Sequence, residues 1–233
     1  MDGYFVSLGK MAYHEAWDIQ RLVGEAVRTG RLQDTVLFVE HPPVYTVGRG
    51  ARGSRDNLLW TPEILQREGI DVVEVDRGGD ITYHGPGQLV GYPIVDLTRR
   101  GRDLHRYLRA LEQAIIDTLR DFGIESERQP PHTGVWVGQD KVAAIGVKAS
   151  RWVTQHGFAL NVAPNLDHFL GIVPCGIRDK GVTSMANLLK RPVTLDEVLP
   201  ALSNHLANSL ELTWTAPISV QELLSQGLPL AQP

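Results

Sequence analysis

The sequence holds one thiol, Cys175, set between a proline and a glycine in Ile172-Val173-Pro174-Cys175-Gly176-Ile177. A lone cysteine makes no intramolecular disulfide and no cysteine-rich zinc site. It is either a small buried hydrophobe or a nucleophile. Its neighbours suit the second role. Proline fixes the approach of the chain, glycine leaves the sulfur unscreened, and free N–H groups at Gly176 and Ile177 could hold an oxyanion. An ordinary cysteine, with a pKa of about 8.5, is only about 3% thiolate at pH 7. A nucleophile of this kind therefore needs a cation beside it. Lys141, which opens the small apolar run Val142-Ala143-Ala144-Ile145-Gly146, is a second chemistry-bearing residue. The alternative for Lys141 is a solvated strand-edge gatekeeper.

Two further segments carry unusual chemistry. Arg77-Gly78-Gly79-Asp80-Ile81-Thr82-Tyr83-His84-Gly85-Pro86-Gly87-Gln88 packs four glycines and a proline into twelve residues. Such a run predicts a tight loop whose backbone can approach a ligand closely. Along the Lys141 strand, alternation places Val142, Ala144 and Gly146 on one face and Lys141, Ala143 and Ile145 on the other. The next strand is again small around Gly157, Phe158 and Ala159. Facing small residues leave either a tunnel or room for a helix packed close on the sheet. Gly48-Arg49-Gly50-Ala51-Arg52-Gly53 matches a dinucleotide fingerprint, but Ser54-Arg55-Asp56-Asn57 follows as loop. Those glycines are not expected to open a helix, so nicotinamide binding is not predicted. The eight histidines are scattered with no His-Glu-x-x-His pair, and no metal site is expected.

The elements that must position these groups follow from periodicity. Strands are predicted at 4–8, 36–39, 44–47, 72–75 and 88–95. Helices are predicted at about 11–28, with Ala12, Ala16, Ile19, Val23 and Val27 on one stripe, and at 62–68, with Thr61 as N-cap. The clearest helix runs over about 103–122 on Leu104, Leu108, Leu111, Ile115, Leu119 and Phe122. Residues 135–137, 142–149 and 154–162 read as a three-stranded meander, and a last helix covers about 194–209. Strands and helices mix without regular alternation. This predicts an α+β fold with a mixed or antiparallel sheet and packed helices. One catalytic domain is expected over 1–215, with a loosely held C-terminal tail over 216–233.

Composition bounds the setting. Net charge is −4, which gives no footprint for nucleic acid. No run of 18 apolar residues predicts a membrane span, and no secretion signal is visible, so the cytoplasm is expected. Lysines number five against 18 arginines, with one arginine group at Arg49, Arg52 and Arg55. A second lies at Arg99, Arg100, Arg102, Arg106 and Arg109. These are a solvated face or a landing surface for an acidic partner.

The segments occur together with Glu40-His41-Pro42-Pro43-Val44-Tyr45-Thr46-Val47-Gly48 and His156-Gly157-Phe158-Ala159-Leu160-Asn161. In this order, over roughly residues 35–190, they resemble the octanoyltransferases of lipoate biosynthesis. The resemblance implies the fold of biotin and lipoate-protein ligase catalytic domains. It implies Cys175 as the acyl-thioester nucleophile and Lys141 as the residue that tunes it. It also implies an acyl site lined by Arg77, Gly78, Gly79, Asp80, Ile81, Thr82, Tyr83, His84, Ala144, Ile145, Gly146, Gly157, Phe158 and Ala159. The implied donor is octanoyl-acyl carrier protein, whose phosphopantetheine carries the acyl group, so no separate cofactor is expected. The implied acceptors are lysines of lipoyl domains in 2-oxoacid dehydrogenases and of the glycine cleavage H protein. A monomer is expected. Three rivals stay open: an amidotransferase moving lipoyl or octanoyl between lipoyl-domain proteins, an ATP-dependent lipoate ligase, and a non-catalytic module binding acyl carrier protein. His84 could hydrogen-bond near the sulfur, orient the acceptor, or be a structural histidine.

Overall fold

Val36-Leu37-Phe38-Val39 is apolar without alternation, the pattern of a strand covered on both faces. In the computed structural model, which describes residues 1–51, 53–173, 180–215 and 218–227, that is its position. The chain runs β1 (Asp2–Lys10), α1 (Tyr13–Arg28), β2 (Asp34–Glu40), β3 (Val44–Val47), α2 (Pro62–Glu68), β4 (Asp71–Glu74), β5 (Ile81–His84) and β6 (Gln88–Ile94). It continues with α3 (Leu104–Asp121), β7 (Glu127–Gln129), β8 (His132–Val137), β9 (Asp140–Ser150), β10 (Val153–Asn161) and β11 (Gly181–Val182). Last come α4 (Met185–Leu189), α5 (Leu195–Ser209), β12 (Thr213–Trp214) and α6 (Val220–Gly227).

One sheet has the order β12-β1-β2-β6-β10-β9-β8-β7, with β11 added beside β9. Its β1–β2, β1–β12 and β9–β11 pairs are parallel and the others antiparallel, so the sheet is mixed as predicted. On one face, Val36, Phe38, Leu89 and Leu160 pack with the apolar stripes of α3 and α5. On the other, Leu37, Val39, Val90, Tyr92 and Ala159 pack towards α1. The predicted stripe of α1 holds at Ala16, Ile19, Val23 and Val27, whereas Ala12 is the exposed N-cap and Tyr13 is buried in its place.

Three outcomes differ from the sequence reading. The glycine-rich segment 77–88 contains a strand, β5, which pairs with β3 in a second sheet of order β4-β3-β5. Four residues between glycines are too few to show a period. Part of the expected tail is helical: α6 packs on α1 and buries Leu223 completely, with Ile218, Val220 and Leu224 in the same cluster. The second arginine group is largely engaged within the chain. Arg99 meets Asp96, Arg100 meets buried Asp34, Arg106 meets Glu211, and Arg109 meets buried Glu112. Arg99, Arg106 and Arg109 still stand about half exposed or more, as either a solvated face or a landing surface requires.

Between β6 and β10 the backbones lie so close that only glycine fits at two positions. A Cβ at Gly157 would overlap the Gly91 carbonyl oxygen and stand 2.8 Å from Pro93 Cδ, while one at Gly91 would overlap the Phe158 ring. Backbone has no rotamer with which to yield. Gly157→Ala is expected to destabilise the fold by about 3 kcal/mol or more. The check is the urea midpoint, and an unchanged midpoint would mean that β6 and β10 can part here.

Candidate active site

Three adjacent strands build a floor whose rows are set by register. Asn161 pairs with Gln88 in the first row, Ala159 with Val90 and Ala144 in the second, and Gly157 with Gly146 in the third. Tyr92 continues the Gln88 and Val90 face of β6. Above this floor lies the second sheet, whose Thr82 and His84 point down while Ile81 and Tyr83 join a separate apolar cluster. The space between is a narrow cleft, open to solvent.

Of the predicted acyl-site residues, Arg77, Gly78, Gly79, Thr82 and His84 line this cleft from above, and Ala144, Ile145, Gly146, Gly157, Phe158 and Ala159 line it from below. Asp80, Ile81 and Tyr83 sit elsewhere. Strand alternation turns Ile81 and Tyr83 to the far face of β5, and Asp80 accepts a hydrogen bond from Asn57 Nδ2 at 2.5 Å. Pro174, Cys175, Gly176 and Ile177 lie outside the described residues, as does Arg52.

Glycine has a different use in the roof. A Cβ at Gly50 would stand 2.7 Å from the Gly79 carbonyl, and one at Gly146 would stand 2.9 Å from the Gly78 carbonyl. The turn at 48–50 thus presses on the 77–79 loop, which presses on β9. The fingerprint-like glycines open only a short 3-10 turn at Arg49–Ala51, and their role is this backbone contact.

Lys141 is turned into the site by a break in the ladder. Trp136 pairs with Lys141 and Val135 with Ala143, so Val142 is an extra residue on β9. Such a bulge re-aims the side chains on either side of it. Val142 and Ala143 both pack into the α3–α5 core, whereas Lys141 joins Ala144, Ala159, Thr82, Gln88 and Asn161 around a small extension of the cleft. The strict alternation expected from sequence, with Val142 on the Ala144 face and Lys141 on the Ala143 face, is therefore corrected. Lys141 is 7% exposed, and its Nζ stands 4.7 Å from the Trp136 ring centroid, where the indole face favours a cation. Beside its stem, Gly134 takes φ +128° and its N–H donates to buried Glu112 Oε1 at 3.2 Å.

A chain of hydrogen bonds runs along the roof and down to Lys141. Arg77, 6% exposed, donates to the Thr46 carbonyl at 2.6 Å and to Thr46 Oγ1 at 2.8 Å. Thr46 Oγ1 then donates to His84 Nε2 at 3.4 Å, and His84 Nδ1 donates to Gln88 Oε1 at 3.2 Å. Gln88 Nε2 donates to Asn161 Oδ1 at 2.9 Å, and Asn161 Nδ2 donates to the Thr183 carbonyl at 3.0 Å. The Thr183 N–H donates to the Lys141 carbonyl at 3.0 Å. Both ring nitrogens of His84 are partnered within the chain, and the ring lines the cleft. Sequence reasoning did not select Tyr13, Val90, Tyr92 and His156, which line the cleft, nor Gln88 and Asn161 beside Lys141. His156, Gln88 and Asn161 stood inside quoted motifs. Tyr13 comes from α1, with no local signal. Among the described residues no three His, Cys, Asp or Glu side chains gather as metal ligands would, and no helix is long and apolar enough to cross a membrane.

The sequence profile of the lipoyl protein ligase A/B catalytic domain matches residues 12–207. The chain belongs to that family. It is 54% identical over 200 residues to an octanoyltransferase of Solibacter usitatus, covering 86% of this chain and 89% of that protein. It is 51% identical over 191 residues to an octanoyltransferase of Geobacter metallireducens, covering 82% and 85%. Among solved structures it resembles a lipoate-protein ligase A bound with ATP, at TM-score 0.74 and 16% identity, covering 97% of this chain and 93% of that one. It also resembles a bi-partite lipoate protein ligase of Thermoplasma acidophilum, at TM-score 0.69 and 16% identity, covering 97% and 91%. At that identity the likeness is one of fold.

In this member of the family, burial controls the ionisation of the histidines around the cleft. His41 is pushed down to about 4 by burial, against a hydrogen bond to the Met11 carbonyl. His84 is pushed well below the usual histidine value by burial, helped by the nearby His41 and Arg77. His156 is lowered by burial in spite of its contact with Asp76. These groups ionise more readily in the unfolded chain, near pH 6.5. Their stability is thus fully present above about pH 6.5 and is lost as the pH falls through each folded value, about 4 for His41. His41 alone accounts for about 3 kcal/mol across that window. Urea midpoints should fall steadily between pH 7 and pH 5, and a flat profile there would contradict the buried neutral assignment.

Proposed function

We propose that this protein is an octanoyltransferase that forms a thioester on Cys175 and delivers the acyl group to a lysine of a lipoyl domain. The observation that carries this reading is Lys141, bulged out of its strand's alternation into the narrow end of a cleft floored by alanine and glycine. Relatives at about half identity that bear the name octanoyltransferase support the choice of acyl group.

The donor is an octanoyl thioester on the phosphopantetheine of acyl carrier protein. The ammonium of Lys141 favours the Cys175 thiolate. The thiolate attacks the thioester carbonyl, the carrier's sulfur leaves, and the Lys141 proton passes to that sulfur. One thioester replaces another, so this step is nearly isoenergetic. Seven carbons beyond the carbonyl, at ~0.8 kcal/mol per buried methylene, contribute about 5 kcal/mol of binding. The acceptor lysine next attacks the Cys175 thioester. Free, only about one such amine in 2,500 is neutral at pH 7. Lys141, which has given up its proton, takes one from the attacking amine as general base. The Cys175 sulfur leaves as thiolate, an amide forms, and the thiolate–ammonium pair is restored. Amide formation from a thioester is downhill, so ATP and a separate cofactor are not needed. The protein acts in the cytoplasm as a monomer, on lipoyl domains of 2-oxoacid dehydrogenases and on the glycine cleavage H protein.

Intact-mass analysis after mixing with octanoyl-acyl carrier protein, without ATP, should show one octanoyl adduct on the wild type and none on Cys175→Ser. A requirement for ATP, or an adduct on Cys175→Ser, would overturn the reading. Lys141→Ala is expected to slow adduct formation by about 100-fold or more with its urea midpoint little changed. A near-normal rate would remove Lys141 from its role.

A further inference from the structure

The cleft ends in a wall that is hydrogen-bonded rather than greasy. Lys148 Nζ donates to Asp76 Oδ2 at 2.5 Å, and Asp76 Oδ1 accepts from His156 Nε2 at 2.8 Å. On its other side, His156 Nδ1 accepts from the Tyr13 hydroxyl at 3.3 Å. Beside Tyr13 stands Tyr92, whose hydroxyl donates to His41 Nε2 at 2.7 Å, while His41 Nδ1 donates to the Met11 carbonyl at 2.8 Å. His156 is held in a left-handed conformation, φ +57°, in the middle of β10. A non-glycine residue stays there only when its surroundings over-determine it. Here its N–H donates to Gln20 Oε1 at 2.8 Å, and its ring stands 5.8 Å from that of Trp17.

The strand itself is a ruler for the distance from Lys141 to this wall. From Asn161, beside Lys141, to Gly157, next to His156, is four residues of β10, or about 13 Å at roughly 3.3 Å each. Along the way the floor goes from the Gln88–Asn161 row to the Ala159–Val90 row to the Gly157–Gly146 row. An extended eight-carbon acyl chain, with bonds of about 1.5 Å advancing about 1.25 Å each, covers about 9 Å, and about 11 Å with its thioester sulfur. Its methyl end then stops just short of the wall, and two further carbons do not fit.

We propose that the Asp76–His156–Tyr13 chain, with Tyr92 beside it, is the chain-length gauge of the acyl site. This rests on the thioester reading given above. The physical reason for a polar stop is its hardness. An apolar end wall yields by rotamer changes and discriminates a single methylene weakly. To dent this wall, a longer chain must part the buried Tyr13 hydroxyl and His156 imidazole from each other or from half-buried Asp76, and neither buried group has water to turn to. An octanoyl chain stops short of the wall and leaves every pair intact.

The test is the rate of adduct formation on Cys175 from hexanoyl, octanoyl, decanoyl and dodecanoyl thioesters of acyl carrier protein, followed by intact mass. Tyr13→Ala, which removes the wall's face, should raise the decanoyl-to-octanoyl rate ratio at least tenfold. Ala159→Val, which fills the middle row, should shift preference the other way, raising hexanoyl relative to octanoyl at least tenfold. Should Tyr13→Ala fail to fold, Asp76→Asn keeps the side-chain shape, weakens the hold on His156 and is expected to raise the decanoyl ratio severalfold. Octanoyl adducts with ratios within twofold of wild type in the folded variants would overturn the gauge and leave the thioester route standing. No adduct on the wild type with any chain length would overturn the thioester route and the gauge with it.

Discussion

A β-ladder alternates its side chains without exception until a residue is inserted, and one inserted residue, Val142, decides where the ammonium of Lys141 goes. Without it, Lys141 would share a face with Ala143 and enter the core between the sheet and α3, where a charge is costly to bury. With it, two consecutive apolar residues fill the core and the lysine stands at the narrow end of the cleft. The neighbouring structure is arranged around that reversal. Trp136 offers its indole face to the ammonium. Gly134 adopts a conformation closed to other residues and leaves room for the lysine stem, and Glu112, wholly buried, holds the Gly134 N–H.

The rest of the site is built from close backbone contact and from polar groups paired with one another. Glycines at 50 and 146 let turn, loop and sheet touch through their carbonyls, which removes flexible side chains from the roof. Arg77 spends its donors on Thr46 and Gly78 and acts as a strut between loop and strand. Burial keeps the histidines around the cleft neutral, and both ring nitrogens of His41, His84 and His156 are hydrogen-bonded inside the protein. Pairing of this kind holds the polar groups around the cleft in fixed places. An alkyl chain gains most from such a cleft, and the transfer chemistry needs its carbonyl held at one end.

The same fold serves proteins described as ATP-binding ligases at 16% identity, so the architecture does not decide the reaction. The reaction rests on which groups stand at the ends of the cleft. Here the sequence supplies a lysine at one end, and its only thiol follows the strand pair that bears that lysine. The other end is closed by a wall of tyrosine, histidine and aspartate drawn from α1, β6, β10 and the loop before Arg77.

Much of this was legible in the sequence. Helical stripes predicted α1, α3 and α5 to within a few residues, because each buries one continuous face. The mixed sheet and the meander of β8, β9 and β10 followed from strand patterns, whereas most of the cleft lining came from the family resemblance. The short strand β5 was hidden by the glycines around it, and α6 was missed because eight residues show little more than two turns. The face of Lys141 could not be read at all, since a bulge is a property of two strands in register and neither strand shows it alone. Nor could the wall, whose members lie up to 143 residues apart. Local sequence determined the elements and the chemical types available, because periodicity and turn chemistry are local. Only tertiary structure decided which side chains meet, because register, strand order and the approach of α1 are set by packing across the whole chain.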